Sequence, residues 1–172
     1  MEKDTLKRAN SILEIINTTM DIRQLRAGNL VTTNGKPSCT TKGNIYKILD
    51  TNSANMLNEL KLIGGATIEI LDGEYRTTVG ALLDYLEPIE ITDDLLENIG
   101  LSKDYHRFKT KIGKYEIAIV HHYDFNERFN LVIYDNEDEI LLEAQVVYLH
   151  TLQNLIFDIT DLELNVDNLI TK

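Results

Sequence analysis

The sequence predicts an α+β fold: an N-terminal helix, a small barrel-like antiparallel sheet in the first half, and an antiparallel meander with a closing helix in the second. Three observations lead there. Two alternating runs at 66–71 and 75–79 flank Asp72-Gly73, a dipeptide suited to a two-residue hairpin turn. Apolar runs at 115–122, 129–134 and 139–143 are separated by polar turns, the pattern of a meander. The segment from Tyr148 to Thr160 is apolar nearly all round at helical length, so it reads as a helix that covers a sheet face.

The elements follow in order. Leu6, Ala9, Leu13, Ile16 and Met20 recur at spacings of three and four behind Asp4 and Thr5, which predicts an N-terminal helix over 1–21. Its apolar stripe needs a cover, either the body of the chain or a second copy in a homodimer. Leu25-Arg26-Ala27-Gly28-Asn29-Leu30-Val31 reads as a strand leading to a turn at Asn34-Gly35, and 36–43 as a loop. A strand follows at 45–49, then a polar excursion over 50–58, then the hairpin about Asp72-Gly73. Short strands with Gly-containing turns predict a barrel-like subdomain over 22–91. Leu86-Glu87-Pro88 is extended, because the residue before proline avoids the helical region. Thr92 caps a short helix over 93–98 that stops at Gly100. The meander and a closing helix over 146–159 complete a single domain, 22–172, of which 92–172 is the helix-meander-helix part.

Length and charge bound the function. A chain of 172 residues buries enough surface to fold without a metal or disulfide, and Cys39 is the lone cysteine. No apolar run reaches the ~18 residues of a membrane span, and the mixed-charge N-terminus does not resemble a secretory signal, so a cytoplasmic protein is expected. The net charge of −11 is uneven. Residues 1–80 hold ten Lys/Arg and nine Asp/Glu, a net of +1; residues 81–172 hold seven and nineteen, a net of −12. The second half is therefore a poor reader of phosphate backbones; its acids either keep the protein soluble or form a surface that can dock on a basic groove.

Three segments carry a resemblance: Leu25-Arg26-Ala27-Gly28-Asn29-Leu30, the run from Glu87-Pro88-Ile89 through Thr92-Asp93-Asp94 to Gly100-Leu101, and His150-Thr151-Leu152-Gln153-Asn154-Leu155. In order and spacing the chain resembles a family of small phage- and mobile-element-encoded proteins of unestablished function. Leu96 stands where the family has an aromatic residue, and Asp161 where a glycine often follows the helix. Residues 1–21 lie outside the family pattern. The resemblance implies a phage or prophage setting and supplies no catalytic residue.

The chemistry-bearing residues give no enzyme motif. His121 and His122 are adjacent in a strand and point to opposite faces, so a metal site would need His122 with Asp124 and either His106 or His150. His150 shares a polar strip of the closing helix with Gln153, Asn154 and Asp158, which reads either as a helix–strand hydrogen-bond network or as a recognition strip. Cys39 lies near Lys36 and Lys42 without a histidine partner. The stretch from Gly28 to Lys36 lacks phosphate-loop spacing, and Pro37 stands where a magnesium-binding hydroxyl belongs. No catalytic residue, metal or cofactor is assigned.

The function expected is that of a non-enzymatic phage or mobile-element protein, anti-CRISPR-like, that inhibits a host nucleic-acid-handling defence protein by presenting phosphate-like negative charge. The partner-binding candidates are Asp93, Asp94, Glu97, Asp135, Glu137, Asp138 and Glu139. The alternative is an RNA- or ribonucleoprotein-binding barrel using Lys36, Lys42, Tyr46, Lys47 and Arg76.

Overall fold

The computed structural model describes residues 24–51, 65–72, 75–122, 128–137 and 139–170. Two five-stranded antiparallel sheets dominate it. The first comprises β1 (Leu30–Thr33), β2 (Ile45–Asp50), β3 (Gly65–Asp72), β4 (Tyr75–Leu82) and β5 (Leu86–Glu87), in the order β4-β3-β2-β1-β5. The second comprises β6 (Ser102–Asp104), β7 (Arg107–Ile112), β8 (Tyr115–His122), β9 (Arg128–Tyr134) and β10 (Ile140–Val146), in sequence order. Helix α1 (Asp93–Asn98) joins the sheets, and helix α2 (Leu149–Thr160) follows the second.

The α+β expectation is corrected here. The protein is mostly antiparallel β, with 47% of the described residues in strands and α2 the one helix of seven or more residues among them. The expected barrel is not closed either. No ladder joins β4 to β5, the two edges of the first sheet. The predicted helix over 1–21, and any dimer made through it, lie outside the described residues, as do Asp124 and Asp138.

The first sheet is nonetheless strongly curled. A 3₁₀ turn of three residues, Leu83–Tyr85, carries the chain from the β4 edge to the β5 edge. Five flat strands would set those edges ~19 Å apart. The four peptide steps from Leu82 to Leu86 reach at most ~15 Å, and less in a 3₁₀ turn. The Asn34 N–H donates to Tyr85 O at 3.0 Å and Asn34 Nδ2 to Asp84 O at 3.2 Å, pinning the turn beside the end of β1.

Strand β1 belongs to two cores because its side chains alternate between faces. Val31 packs with Tyr46, Ile48, Ala66, Ile68, Ile70 and Ala81 within the first sheet's own core. Leu30 belongs instead to the larger core with α1, α2 and the inner face of the second sheet, including Leu96, Phe108, Ile117, Leu131 and Leu152. Helix α2 therefore has structure on more than one side. Leu149, His150, Thr151, Leu152, Gln153, Ile156 and Thr160 are all buried, so four polar side chains of this helix are enclosed along with its apolar ones. Backbone bonds from Ile91 N to Val147 O and from Leu149 N to Ile89 O tie the inter-sheet segment to the start of α2.

Candidate functional site

The acidic candidates fall into two groups at opposite ends of the second sheet. In the first group, Thr92 Oγ1 caps α1 by accepting the Leu95 N–H at 3.1 Å, which places Asp93 and Asp94 in the first turn, where the helix dipole favours them. Asp93 points back onto the sheet. Its Oδ1 lies 2.7 Å from His121 Nδ1, and its Oδ2 accepts from Lys103 Nζ at 2.8 Å. Lys103 also stands 3.4 Å from Glu97. The His121 ring stacks on Phe129 with centroids 4.2 Å apart. Asp93 thus fixes α1 to β6 and β8, with much of its charge balanced, while Asp94 and Glu97 face solvent.

The second group sits in the β9–β10 turn. Asp135 Oδ1 accepts the backbone N–H groups of Glu137 at 2.8 Å and Glu139 at 3.0 Å, so this carboxylate shapes the turn. Glu137 and Glu139 are exposed, as is Glu143 further along β10. No salt bridge engages these three among the described residues. His121 pairs with Phe129 at the start of β9, and Asp135 follows its end. Six residues of strand separate the groups, roughly 20 Å. They are two surfaces, not one converged site.

The basic candidates are scattered. Tyr46 is buried, and its hydroxyl accepts the Thr41 N–H at 2.7 Å, so its ring offers no stacking platform. Lys47 lies on the opposite face of β2. Arg76 stands 3.4 Å from Glu69, and Lys36 lies over the Tyr85 ring at 5.2 Å. Lys42 and Cys39 are exposed in the β1–β2 loop.

His106, His121 and His150 do not converge. His121 goes to Asp93, His106 lies exposed in the β6–β7 turn, and His150 is buried in α2. Among the described residues no group of three His, Cys, Asp or Glu side chains is placed to hold a metal ion. His150 is 1% exposed, and neither ring nitrogen has a hydrogen-bond partner among the described residues. Burial lowers its pKa to about 4, so the ring is neutral at pH 7.

Of the polar strip on α2, Gln153 and Asn154 form a clasp, His150 is buried apart from it, and Asp158 is exposed. Gln153 Oε1 accepts the Leu30 N–H at 3.0 Å, and Gln153 Nε2 donates to Gly28 O at 3.1 Å. The side-chain amide thereby acts as a short strand beside the backbone entering β1. Asn154 Oδ1 accepts from Arg26 Nε at 2.8 Å and Asn29 Nδ2 at 2.9 Å, while its Nδ2 donates to Gln24 O. The Arg26 guanidinium lies 4.2 Å from the Phe157 ring centroid and donates to both Glu163 oxygens, at 2.6 and 2.9 Å. Arg26 holds the Glu163 carboxyl below its usual pKa, chiefly through that hydrogen bond. Two segments singled out by the resemblance thus meet each other, around residues 26–30 and 153–154.

Sequence reasoning missed two features. The Asp93–Lys103–His121 cluster depends on strand pairing and carries no local signal. The exposed pair Ile140 and Leu141 does carry one, since Ile140-Leu141-Leu142 breaks strand alternation directly after an acidic turn. A cleft of about 580 Å³, bordered by Cys39, Glu69, Thr77 and Leu169, lies apart from both acidic groups. Comparison of the chain with protein-family models, curated proteins and solved structures finds no match.

Proposed function

We propose that the protein is a non-enzymatic interaction protein of a phage or mobile element. It binds and inhibits a host nucleic-acid-handling defence protein in the host cytoplasm through negative charge on the second sheet. The observation that carries this reading is the β9–β10 end, where Glu137, Glu139 and Glu143 stand exposed on the half of the chain with a net charge of −12. Such a surface complements a channel that holds phosphates and speeds encounter with it. The same field repels nucleic acid. The burial of Tyr46 weighs against RNA stacking on the first sheet.

Affinity capture from host lysate, with and without nuclease, tests the reading. The expected outcome is a host protein retained after nuclease treatment, released by salt, and lost when Glu137, Asp138 and Glu139 are changed to Lys. Capture abolished by nuclease, or indifferent to that triple charge reversal, would refute it.

A further inference from the structure

We propose that Tyr105 is an anchor of the partner interface and that the partner protein presents an arginine to its ring. This rests on the reading above and names a contact residue and the chemistry that meets it. Tyr105 is 88% exposed, against 58% for Ile140, the next of the large apolar side chains among the described residues. It stands at the tip of the β6–β7 hairpin, where Asp104 pairs with Arg107 and Tyr105 and His106 form the two-residue loop. The His121 N–H donates to His106 O at 2.8 Å, which fixes this tip to β8. Tyr105 has φ 52°, in the left-handed region, where such a turn ordinarily carries Asn, Asp or Gly. A bulky ring there gains no burial from this chain and disfavours the backbone that carries it. Folding does not explain the residue, whereas tyrosine is enriched among the side chains that dominate interfaces.

The other tyrosines with described side chains are engaged. Tyr46 bonds to Thr41 through its hydroxyl, and Tyr148 stacks on His150. The rings of Tyr85, Tyr115 and Tyr134 carry the cations of Lys36, Lys114 and Arg107 at 5.2, 5.1 and 5.5 Å. Tyr105 has no hydrogen bond, ring contact or cation of this kind among the described residues.

Charge selects what meets the ring. Residues 93–104 hold Asp93, Asp94, Glu97 and Asp104 against Lys103, a net of −3. Lys103 is engaged by Asp93 and Glu97, and this ties α1 to the hairpin. Asp94 and Asp104 are exposed and form no salt bridge among the described residues. An aromatic face on an acidic surface attracts a cation. A guanidinium suits it better than an ammonium, because it is planar and weakly hydrated, and it can stack on the ring while donating to a carboxylate. Arginine is also the side chain with which nucleic-acid-handling proteins recognise phosphates, so a groove of that kind supplies it.

The test uses the full chain and two capped peptides, Arg-Ala-Arg-Ala-Arg and Lys-Ala-Lys-Ala-Lys. Calorimetry at low salt gives affinity, and NMR shifts give location. The Arg peptide is expected to bind, to shift the Tyr105 ring signals, and to bind at least about threefold tighter than the Lys peptide. Tyr105→Phe keeps a ring and is expected to keep the binding. Tyr105→Gly is expected to weaken it at least about fivefold while the thermal midpoint holds or rises, because glycine accepts the left-handed turn. A lower midpoint for Tyr105→Gly would give the ring a structural role and overturn the proposal. Absence of Arg-peptide binding, equal binding of the Lys peptide, or binding unaltered by Tyr105→Gly overturns it too. If that unaltered binding is lost on reversing Glu137 and Glu139, the acidic-surface reading stands without Tyr105. Binding indifferent to every one of these changes overturns both.

Discussion

Gln153 on α2 accepts the backbone N–H of Leu30 through its Oε1 at 3.0 Å, across 123 positions of sequence. Gln153 is buried, and its amide completes the hydrogen bonding of a backbone stretch that Ile48 of β2 serves only on its other side, through the Gly28 N–H and the Asn29 carbonyl. Replacing it with Leu keeps the volume but strands the Leu30 N–H and the Gly28 carbonyl. The expected loss is about 2–4 kcal/mol in urea unfolding, since each buried unsatisfied group costs ~1–3 kcal/mol. Gln153→Glu is expected to be no better, because a carboxylate cannot donate to Gly28 O.

Arg26 makes a planar fork that a lysine cannot reproduce. It engages Glu163 twice, Asn154 once and the face of Phe157. Arg26→Lys is expected to cost about 1–2 kcal/mol, mostly through the Asn154 bond and the ring contact, because Glu163 is largely exposed and its ion pair is screened. A double-mutant cycle with Asn154→Ala checks this. A coupling below about 0.5 kcal/mol would contradict the clasp.

His150 predicts an acid sensitivity. Its folded pKa is about 4, against 6.5 unfolded. Between these values the unfolded chain binds more protons, so stability rises with pH. The contribution is complete above pH 6.5 and falls away as pH drops toward 4, by roughly 3 kcal/mol. His150→Leu is expected to flatten that part of the stability profile without loss at pH 7, because the ring nitrogens have no partners to surrender. Denaturant midpoints at pH 7, 5.5 and 4.5 measure it.

Asp161 ends α2 with φ 55°, in the left-handed region, and its N–H bonds to Phe157 O at 2.8 Å. A residue with a Cβ pays about 1 kcal/mol there. Asp161→Gly is expected to raise stability by about 0.5–1 kcal/mol, read as a higher thermal midpoint, and Asp161→Val to lower it.

Local signals in the sequence placed many of the elements. The alternation around Asp72-Gly73 matches the β3–β4 ladder, paired from Gly65↔Leu82 to Asp72↔Tyr75. The Thr92 hydroxyl caps α1 at the residue its spacing indicates. The Asn34-Gly35 signal misled in part. Gly35 has φ 80°, yet β1 and β2 are joined by the whole loop 34–44, because the Thr33 carbonyl takes the Gly43 N–H at its far end. The residues 25–29 read as strand but form the clasp, where β2 bonds the backbone on one side and side-chain amides from α2 stand in for a strand on the other. The acidic candidates were legible as residues. Their separation into two groups was not, because it follows from the length of β9.

Periodicity, caps and turn dipeptides act over a few residues, so the sequence by itself determined that this chain makes short antiparallel strands, a capped helix and a closing helix, and that its second half is acidic. Only the tertiary structure decided that the first sheet curls without closing, that α2 lies between that sheet and the second, and that Asp93 goes to His121 while Arg26 reaches Glu163. Those outcomes pair residues up to 137 positions apart. Which distant donor meets which acceptor is settled by the joint packing of two cores, and no local pattern encodes it.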